Sequence, residues 1–228
     1  VALELAERGA AVVVNFNRNA EAAGSVVDQI RLGDGRALAL QADVSQKAEV
    51  DKMFAAIKEA FGRLDVLINN AAQFLSIPAL EMTEEQWDRV MAVNAKSVWL
   101  CSQAAAALMP NQGGYVVNIS SECGQRAFSN LLAYSASKAA LEMMTRVLAV
   151  ELAPLGIIVN AVTPGLTNTE MGRPYIENEE TRRATLQRTP AGRLGEPEDI
   201  AKVAAFLASP DAFWLRGQIL AANGGGTL

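Results

Sequence analysis

Tyr134 and Lys138 stand four residues apart in the run Tyr134-Ser135-Ala136-Ser137-Lys138, and Ser121 precedes the tyrosine by thirteen residues. On a helix, a spacing of four puts phenol and ammonium on one face, where the cation favours the phenolate. A free phenol titrates near ~10, and moving it about 3 units towards neutrality takes roughly 4 kcal/mol of preferential stabilisation of the anion. A desolvated lysine supplies much of that, which makes the pair a candidate acid–base catalyst. Tyr and Lys four apart also occur on solvated helices, so the context decides. The preceding segment, Gly113-Gly114-Tyr115-Val116-Val117-Asn118-Ile119-Ser120-Ser121, reads as a turn, a short apolar strand and then hydroxyl groups at the strand's C-terminal end. In open α/β sheets ligands sit at that end. Ser121 is thereby placed to hold a substrate oxygen, with Tyr134 arriving on the following helix.

The elements that must hold these groups are legible as alternating patterns. Strand-like runs at Ala10–Phe16, Ala37–Gln41, Val66–Asn69, Tyr115–Ile119 and Ile157–Val162 alternate with helical patterns at Ala20–Leu32, Ala48–Phe61, Thr83–Met109, Ala133–Ala153 and Glu198–Ala208. Apolar strands between amphipathic helices predict βαβ units and a parallel sheet with both faces covered, a doubly wound α/β fold. Thr83-Glu84-Glu85-Gln86 forms a capping box, and Pro197 suits a first helical turn. A last short strand is expected through Gly217–Ala221, and Asn223-Gly224-Gly225-Gly226 reads as a flexible tail.

Composition narrows the chemistry. At 228 residues and 50% hydrophobic, the chain can bury one substantial core, so residues 1–228 are expected to form a single domain. A net charge of −5 with both signs interspersed provides no basic face for nucleic acid or anionic lipid, and apolar stretches are too short for a membrane span. The chain has no His, which removes the commonest general base and metal ligand. Cys101 and Cys123 have no metal spacing, so no metal site is expected, and their sparse use suits a reducing cytoplasm. Cys101 reads as a core filler. Cys123, two residues after Ser121, reads as packing too, with a position facing the substrate as the alternative.

Taken together, Asn69-Asn70-Ala71-Ala72 after a strand, Asn94 in a helix, Ser121, Tyr134 with Lys138, Pro164-Gly165 followed by Thr169, and Gly192-Arg193-Leu194-Gly195-Glu196-Pro197-Glu198-Asp199-Ile200-Ala201 resemble the short-chain dehydrogenase/reductase family, over essentially the whole chain. The pattern is similar to 3-oxoacyl-acyl carrier protein reductases and to small glucose or steroid dehydrogenases alike. The resemblance implies nicotinamide-dependent hydride transfer between a carbonyl and an alcohol. It implies that Tyr134 passes the proton and that Lys138 lowers the phenol's pKa and bonds the nicotinamide ribose. Ser121 would hold the substrate oxygen, and Asn94 would anchor a water that links Lys138 to solvent. The alternative for Asn94 is a helix-interior amide that satisfies a neighbouring carbonyl.

The same resemblance places the cofactor. Asn70 and Ala71 end a strand where small residues let it lie against the backbone, although Ala72 stands where the family usually has Gly. Asp43 and Val44 resemble the pair that contacts the adenine, with a helix N-terminal carboxylate as the alternative for Asp43. Pro164 and Gly165 would line the nicotinamide, and Thr169 would bond its carboxamide. The run Asn15-Phe16-Asn17-Arg18-Asn19 has no acid to bond a ribose 2′-hydroxyl, while Arg18 can pair with a 2′-phosphate, which favours NADPH over NADH. The alternative for Arg18 is a solvated loop residue. Residues 171–192 mix Arg, Glu, Met and Tyr175 with Pro174 and Pro190, which suits a mobile lid over a small carbonyl or alcohol substrate.

The chain opens on Val1-Ala2-Leu3-Glu4-Leu5-Ala6-Glu7-Arg8-Gly9, which reads as the second half of a helix. By the resemblance, a first strand and a glycine-rich turn would precede it, so about 20 further N-terminal residues are expected in the natural protein. A scaffold role without cofactor binding is the alternative to an enzyme. The joint presence of Asn94, Ser121, Tyr134 and Lys138 argues against it. Apolar residues on more than one face of the long helices, including Trp99, Leu100, Met143, Met144 and Val147, together with the family's habit, imply a homotetramer.

Overall fold

The computed structural model describes residues 1–111 and 113–227. Six strands alternate with helices in the order α1 (Ala2–Glu7), β1 (Val12–Phe16), α2 (Ala20–Leu32), β2 (Ala37–Gln41), α3 (Lys47–Phe61), β3 (Val66–Asn69), α4 (Glu84–Met91), α5 (Ser97–Ala106), β4 (Tyr115–Ile119), α6 (Leu132–Glu151), β5 (Ile158–Pro164), α7 (Arg173–Glu177), α8 (Glu179–Arg188), α9 (Pro197–Leu207) and β6 (Ile219–Ala222). Every strand pairing is parallel, with helices on both sides, as the alternating pattern predicts.

The strands form two ladders instead of one sheet: β1 pairs with β2, and a second ladder runs β3-β4-β5-β6. Among the described residues no strand lies between β1 and β3, and helices join the two ladders. On one face Ala2, Leu5 and Ala6 of α1 pack on Val12, Val27 and Ile30, while neighbouring Val1 packs with Val117, Ile119 and Ile200. On the other face Val13 and Leu40 pack against the cluster of Val50, Met53, Phe54, Leu100 and Val116. Burial of such side chains, about 25 cal/mol per Å² of apolar surface, is the main force that holds the layers.

Local signals set several boundaries. Thr83 and Gln86 close the expected capping box at α4, and Pro197 occupies the first turn of α9. The expected single helix over Thr83–Met109 is divided: between α4 and α5 the backbone widens to a π-helical turn at Ala92–Lys96. Asn94 lies in that turn, and a tertiary hydrogen-bond demand that periodicity cannot register overrides regular α geometry there. The C-terminal glycine run also differs from the expected loose tail. Asn223 Nδ2 donates to Thr227 Oγ1 at 2.8 Å, the Gly225 N–H donates to Asn223 Oδ1 at 3.1 Å, and the Ala191 N–H donates to the Gly224 carbonyl at 3.0 Å. A small polar residue that satisfies its own turn converts the glycines from a floppy segment into a docked one.

Candidate active site

The carboxyl ends of β3, β4 and β5 lie side by side because their ladder is parallel and in register: Asn69 opposes Asn118, and Asn118 opposes Ala161. Asn118 ties the centre together. It accepts from Asn69 Nδ2 at 2.8 Å and donates to Thr145 Oγ1 of α6 at 2.9 Å. Just beyond β4, Ser121 is in extended conformation and starts a short 3-10 turn, Glu122–Gly124, accepting from the Cys123 N–H at 3.2 Å. A Cβ on Gly124 would come within 3.0 Å of the Lys138 carbonyl carbon. Glycine there lets the serine turn lie directly on α6.

Tyr134 and Lys138 occupy successive turns of α6, and both are buried, 6% and 2% exposed. The Ser121 hydroxyl lies close enough to the Tyr134 phenol to favour its anion. The Lys138 Nζ donates to the Ile119 carbonyl at 2.8 Å, its one hydrogen bond among the described residues, and lies 5.7 Å from the centre of the Tyr134 ring. The structure thus brings Ser121, Tyr134 and Lys138 together as the sequence predicts. It reverses the expected proton energetics. Burial pushes the Tyr134 phenol up to about 12 against the opposing influence of the Ser121 hydroxyl, and burial pulls the Lys138 ammonium down to about 8. Spacing alone predicts a phenol made acidic by its neighbour. Here the ammonium lies over the ring, bonded to a backbone carbonyl, and desolvation of the anion outweighs the pair's attraction.

Asn94 is fully buried. Its Oδ1 accepts from the Gln73 N–H at 2.7 Å, and its Nδ2 donates to the Gln73 carbonyl at 3.0 Å and to Ser137 Oγ at 2.9 Å. Ser137 in turn donates to the Tyr134 carbonyl at 2.7 Å. Asn94 therefore clamps the loop after β3 to α6 through its side chain.

The remaining predicted positions ring the same edge. Arg18 follows β1, is exposed and makes no ion pair among the described residues. Asp43 lies beyond β2. Its Oδ1 accepts from the Ser45 N–H and hydroxyl at 3.0 and 2.6 Å, and its Oδ2 from Arg89 at 3.0 Å; these partners outweigh burial and hold its pKa below the usual range. Val44 packs its side chain on the core. Asn70 and Ala71 are exposed at the end of β3. Pro164 ends β5, Gly165 follows, and Thr169 Oγ1 accepts from the Gly172 N–H at 3.2 Å at the entry to α7. Both cysteines are free, and burial raises the Cys101 thiol to about 12 and Cys123 upward, which suits packing more than reactivity.

Several residues of the site escape sequence reading. Glu142, one turn beyond Lys138, is 5% exposed and accepts from Ser120 Oγ at 2.9 Å and Gln125 Nε2 at 3.1 Å, so it braces both sides of Ser121. Its only signal is the same spacing of four, carried one turn further. Glu122 pairs with Arg188 of α8 at 3.1 Å, and Phe74 contacts the Tyr134 ring edge-on with centroids 4.8 Å apart. No local pattern announces either contact.

A family profile described as Enoyl-(Acyl carrier protein) reductase matches residues 1–227. An uncharacterized oxidoreductase of Methylorubrum extorquens is 42% identical over 226 residues, covering 99% of this chain and 91% of its own. The chain belongs to the short-chain dehydrogenase/reductase family. A gluconate 5-dehydrogenase from Burkholderia cenocepacia, solved with NADP and tartrate, superposes with a TM-score of 0.92 at 31% identity, covering 99% of this chain and 89% of that one. A 7α-hydroxysteroid dehydrogenase solved with NADH and 7-oxo glycochenodeoxycholic acid gives 0.95 at 36% identity, with 99% and 88% covered. This short-chain dehydrogenase/reductase is an oxidoreductase acting at the CH–OH/C=O level, in a family that uses NAD(P)(H). The comparisons lend no support to a non-catalytic scaffold. No helix among the described residues is long and apolar enough to cross a membrane.

Proposed function

We propose that this protein is an NADPH-dependent carbonyl reductase in which Tyr134 is the acid and base. The observation that carries the reading is the placement of the Ser121 hydroxyl beside the Tyr134 phenol, next to the buried Lys138 ammonium, at the carboxyl edge of the parallel ladder. Two neighbouring hydroxyl groups can both reach one carbonyl oxygen.

The residues present fit a dinucleotide. The Lys138 ammonium is buried with one acceptor, so its other N–H groups suit the nicotinamide ribose hydroxyls. The exposed backbone at Asn70 and Ala71 suits a cofactor lying across the strand ends, Pro164, Gly165 and Thr169 suit the nicotinamide, and Asp43 with Val44 suits the adenine. Exposed Arg18 suits a 2′-phosphate. The cofactor supplies the hydride. Ser121 then holds the substrate oxygen, and the Tyr134 proton passes to it as negative charge develops there. A phenol titrating near 12 stays protonated at neutral pH and is still far more acidic than the alcohol it forms, so it serves a reduction. Asn94 keeps α6 and the loop after β3 in register during this transfer, and a water at Asn94 would return protons to Lys138.

Residues 171–192 act as the substrate lid, with Arg188 fastening α8 to Glu122. Trp99, Met143 and Val147 are half exposed on α5 and α6, which supports subunit pairing in a homotetramer. A panel of ketones and alcohols assayed with NADPH and NADH tests the reading. It predicts ketone reduction with NADPH preferred, and an enzyme silent across the panel with both coenzymes would refute it.

A further inference from the structure

Three aromatic rings form a chain at the site. Phe74 follows Gln73, whose N–H and carbonyl are both held by buried Asn94, so the loop presents the Phe74 ring from a fixed backbone. That ring meets Tyr134 at a centroid distance of 4.8 Å and an angle of 65°, and also meets Tyr175 of α7 at 5.5 Å and 83°. Both contacts are edge-to-face, the arrangement that aromatic quadrupoles favour. Tyr134 is buried, whereas Phe74 and Tyr175 are each partly exposed. The chain of rings therefore runs from the buried Tyr134 to partly exposed Phe74 and Tyr175. Among the described residues no cation lies over either ring, whereas Phe128 nearby is covered by Arg126 at 5.6 Å and Arg188 at 5.4 Å. Phe74 and Tyr175 thus leave part of their apolar ring surface open.

We propose that Phe74 and Tyr175 are specificity-determining residues that select a flat, apolar ring system carrying the reacting carbonyl or hydroxyl, and that disfavour open-chain polyhydroxylated substrates. The inference rests on the proposed reaction only for where the reacting oxygen sits. Ring faces reward a flat hydrocarbon by dispersion and by release of water. A polyol pressed on the same faces loses hydrogen bonds to water and finds few partners in return. Phe74 is held through Gln73 by Asn94 and Tyr175 rides on the segment between β5 and α9, and because the two rings touch each other they form one apolar wall, of which the Tyr175 part is the adjustable one.

The test uses 2-naphthol, which has a hydroxyl on a flat ring but no hydrogen on the carbinol carbon, so it binds without turnover. Its binding is titrated by NMR against the parent, Phe74→Ala, Phe74→Leu, Tyr175→Ala and Tyr175→Phe, each checked for folding by circular dichroism. In parallel, kcat/KM is measured for 1-tetralone and for dihydroxyacetone. Parent binding weakened about tenfold by Phe74→Ala and by Tyr175→Ala, but retained by Tyr175→Phe, supports the inference. So does a matching fall in the tetralone-to-dihydroxyacetone ratio. Phe74→Leu keeps apolar bulk without a ring and decides the matter if the alanine variant does not fold. An enzyme that reduces ketones yet binds 2-naphthol equally in all variants, or not at all, overturns the inference and leaves the reaction standing. Ring-dependent binding without any ketone reduction does the reverse.

Discussion

The Lys138 ammonium donates to the Ile119 carbonyl at 2.8 Å and lies 5.7 Å from the centre of the Tyr134 ring, so the lysine is held by the end of β4 while it faces the phenol. The strand that leads to Ser121 and the helix that carries Tyr134 are thus joined by the residue that also carries the site's positive charge.

Stability should register that buried charge. Lys138 has its pKa lowered from 10.5 to about 8, so in the folded state its protonated form is penalised below pH 8 and the penalty is relieved as pH rises towards 10.5. The scale is about 3 kcal/mol. Between pH 8 and 10 the parent should gain stability relative to Lys138→Met in urea melts, and a constant difference across that range would contradict the assignment.

Tyr134 has the opposite sign. Its pKa is raised from 10.0 to about 12, so the folded protein keeps a proton that the unfolded chain releases, and that contribution is lost as pH rises from 10 through 12. Tyr134→Phe should abolish this loss. It should also lower kcat by about 10²–10⁴-fold, the usual worth of a general acid, with nucleotide affinity nearly unchanged. Equal turnover in variant and parent would remove Tyr134 from the mechanism.

Glu142 braces Ser120 and Gln125, which flank the Ser121 turn. Glu142→Ala leaves a cavity and removes the acceptor of Ser120, Gln125 and, at 3.5 Å, Thr163, and should cost about 3 kcal/mol in denaturant melts. Glu142→Gln keeps an acceptor and should cost about 1 kcal/mol. Identical costs for the two would show that the carbonyl-type acceptor does not matter.

The Glu122–Arg188 pair couples the serine turn to α8 across 66 residues of sequence. A double-mutant cycle with Glu122→Gln and Arg188→Met should return a coupling of about 1–3 kcal/mol, read as KM and as protease sensitivity of residues 171–192. Additive effects would mean that the contact fastens nothing.

Arg18 governs coenzyme choice in the proposed reaction. Arg18→Glu should move the NADPH-to-NADH preference by about tenfold or more towards NADH, since a carboxylate repels the 2′-phosphate and accepts from a ribose hydroxyl. Fluorescence titration with both reduced coenzymes measures the ratio, and an unaltered ratio would free Arg18 from that task.

Much of this was legible in advance, and the exceptions share a cause. The strands Ala37–Gln41, Val66–Asn69 and Tyr115–Ile119 are read from their apolar runs without error, because a strand covered on both faces leaves a short, local signature. The turn at Ala92–Lys96 and the docked glycines at Gly224–Gly226 are misread as plain helix and loose tail. In each, a polar group is satisfied by a partner far away in sequence, the Asn94 side chain by the Gln73 backbone and the Gly224 carbonyl by the Ala191 N–H, and no local window contains both halves of the bond.

Residue type and spacing by themselves determined which groups share a face, hence the company of Ser121, Tyr134 and Lys138, the parallel α/β layers and the family. Only the tertiary structure decided how protons are held there, and which rings and carboxylates surround them. A pair's attraction can be inferred from a spacing of four. Its desolvation depends on everything packed around it, and here desolvation is the larger effect on both Tyr134 and Lys138.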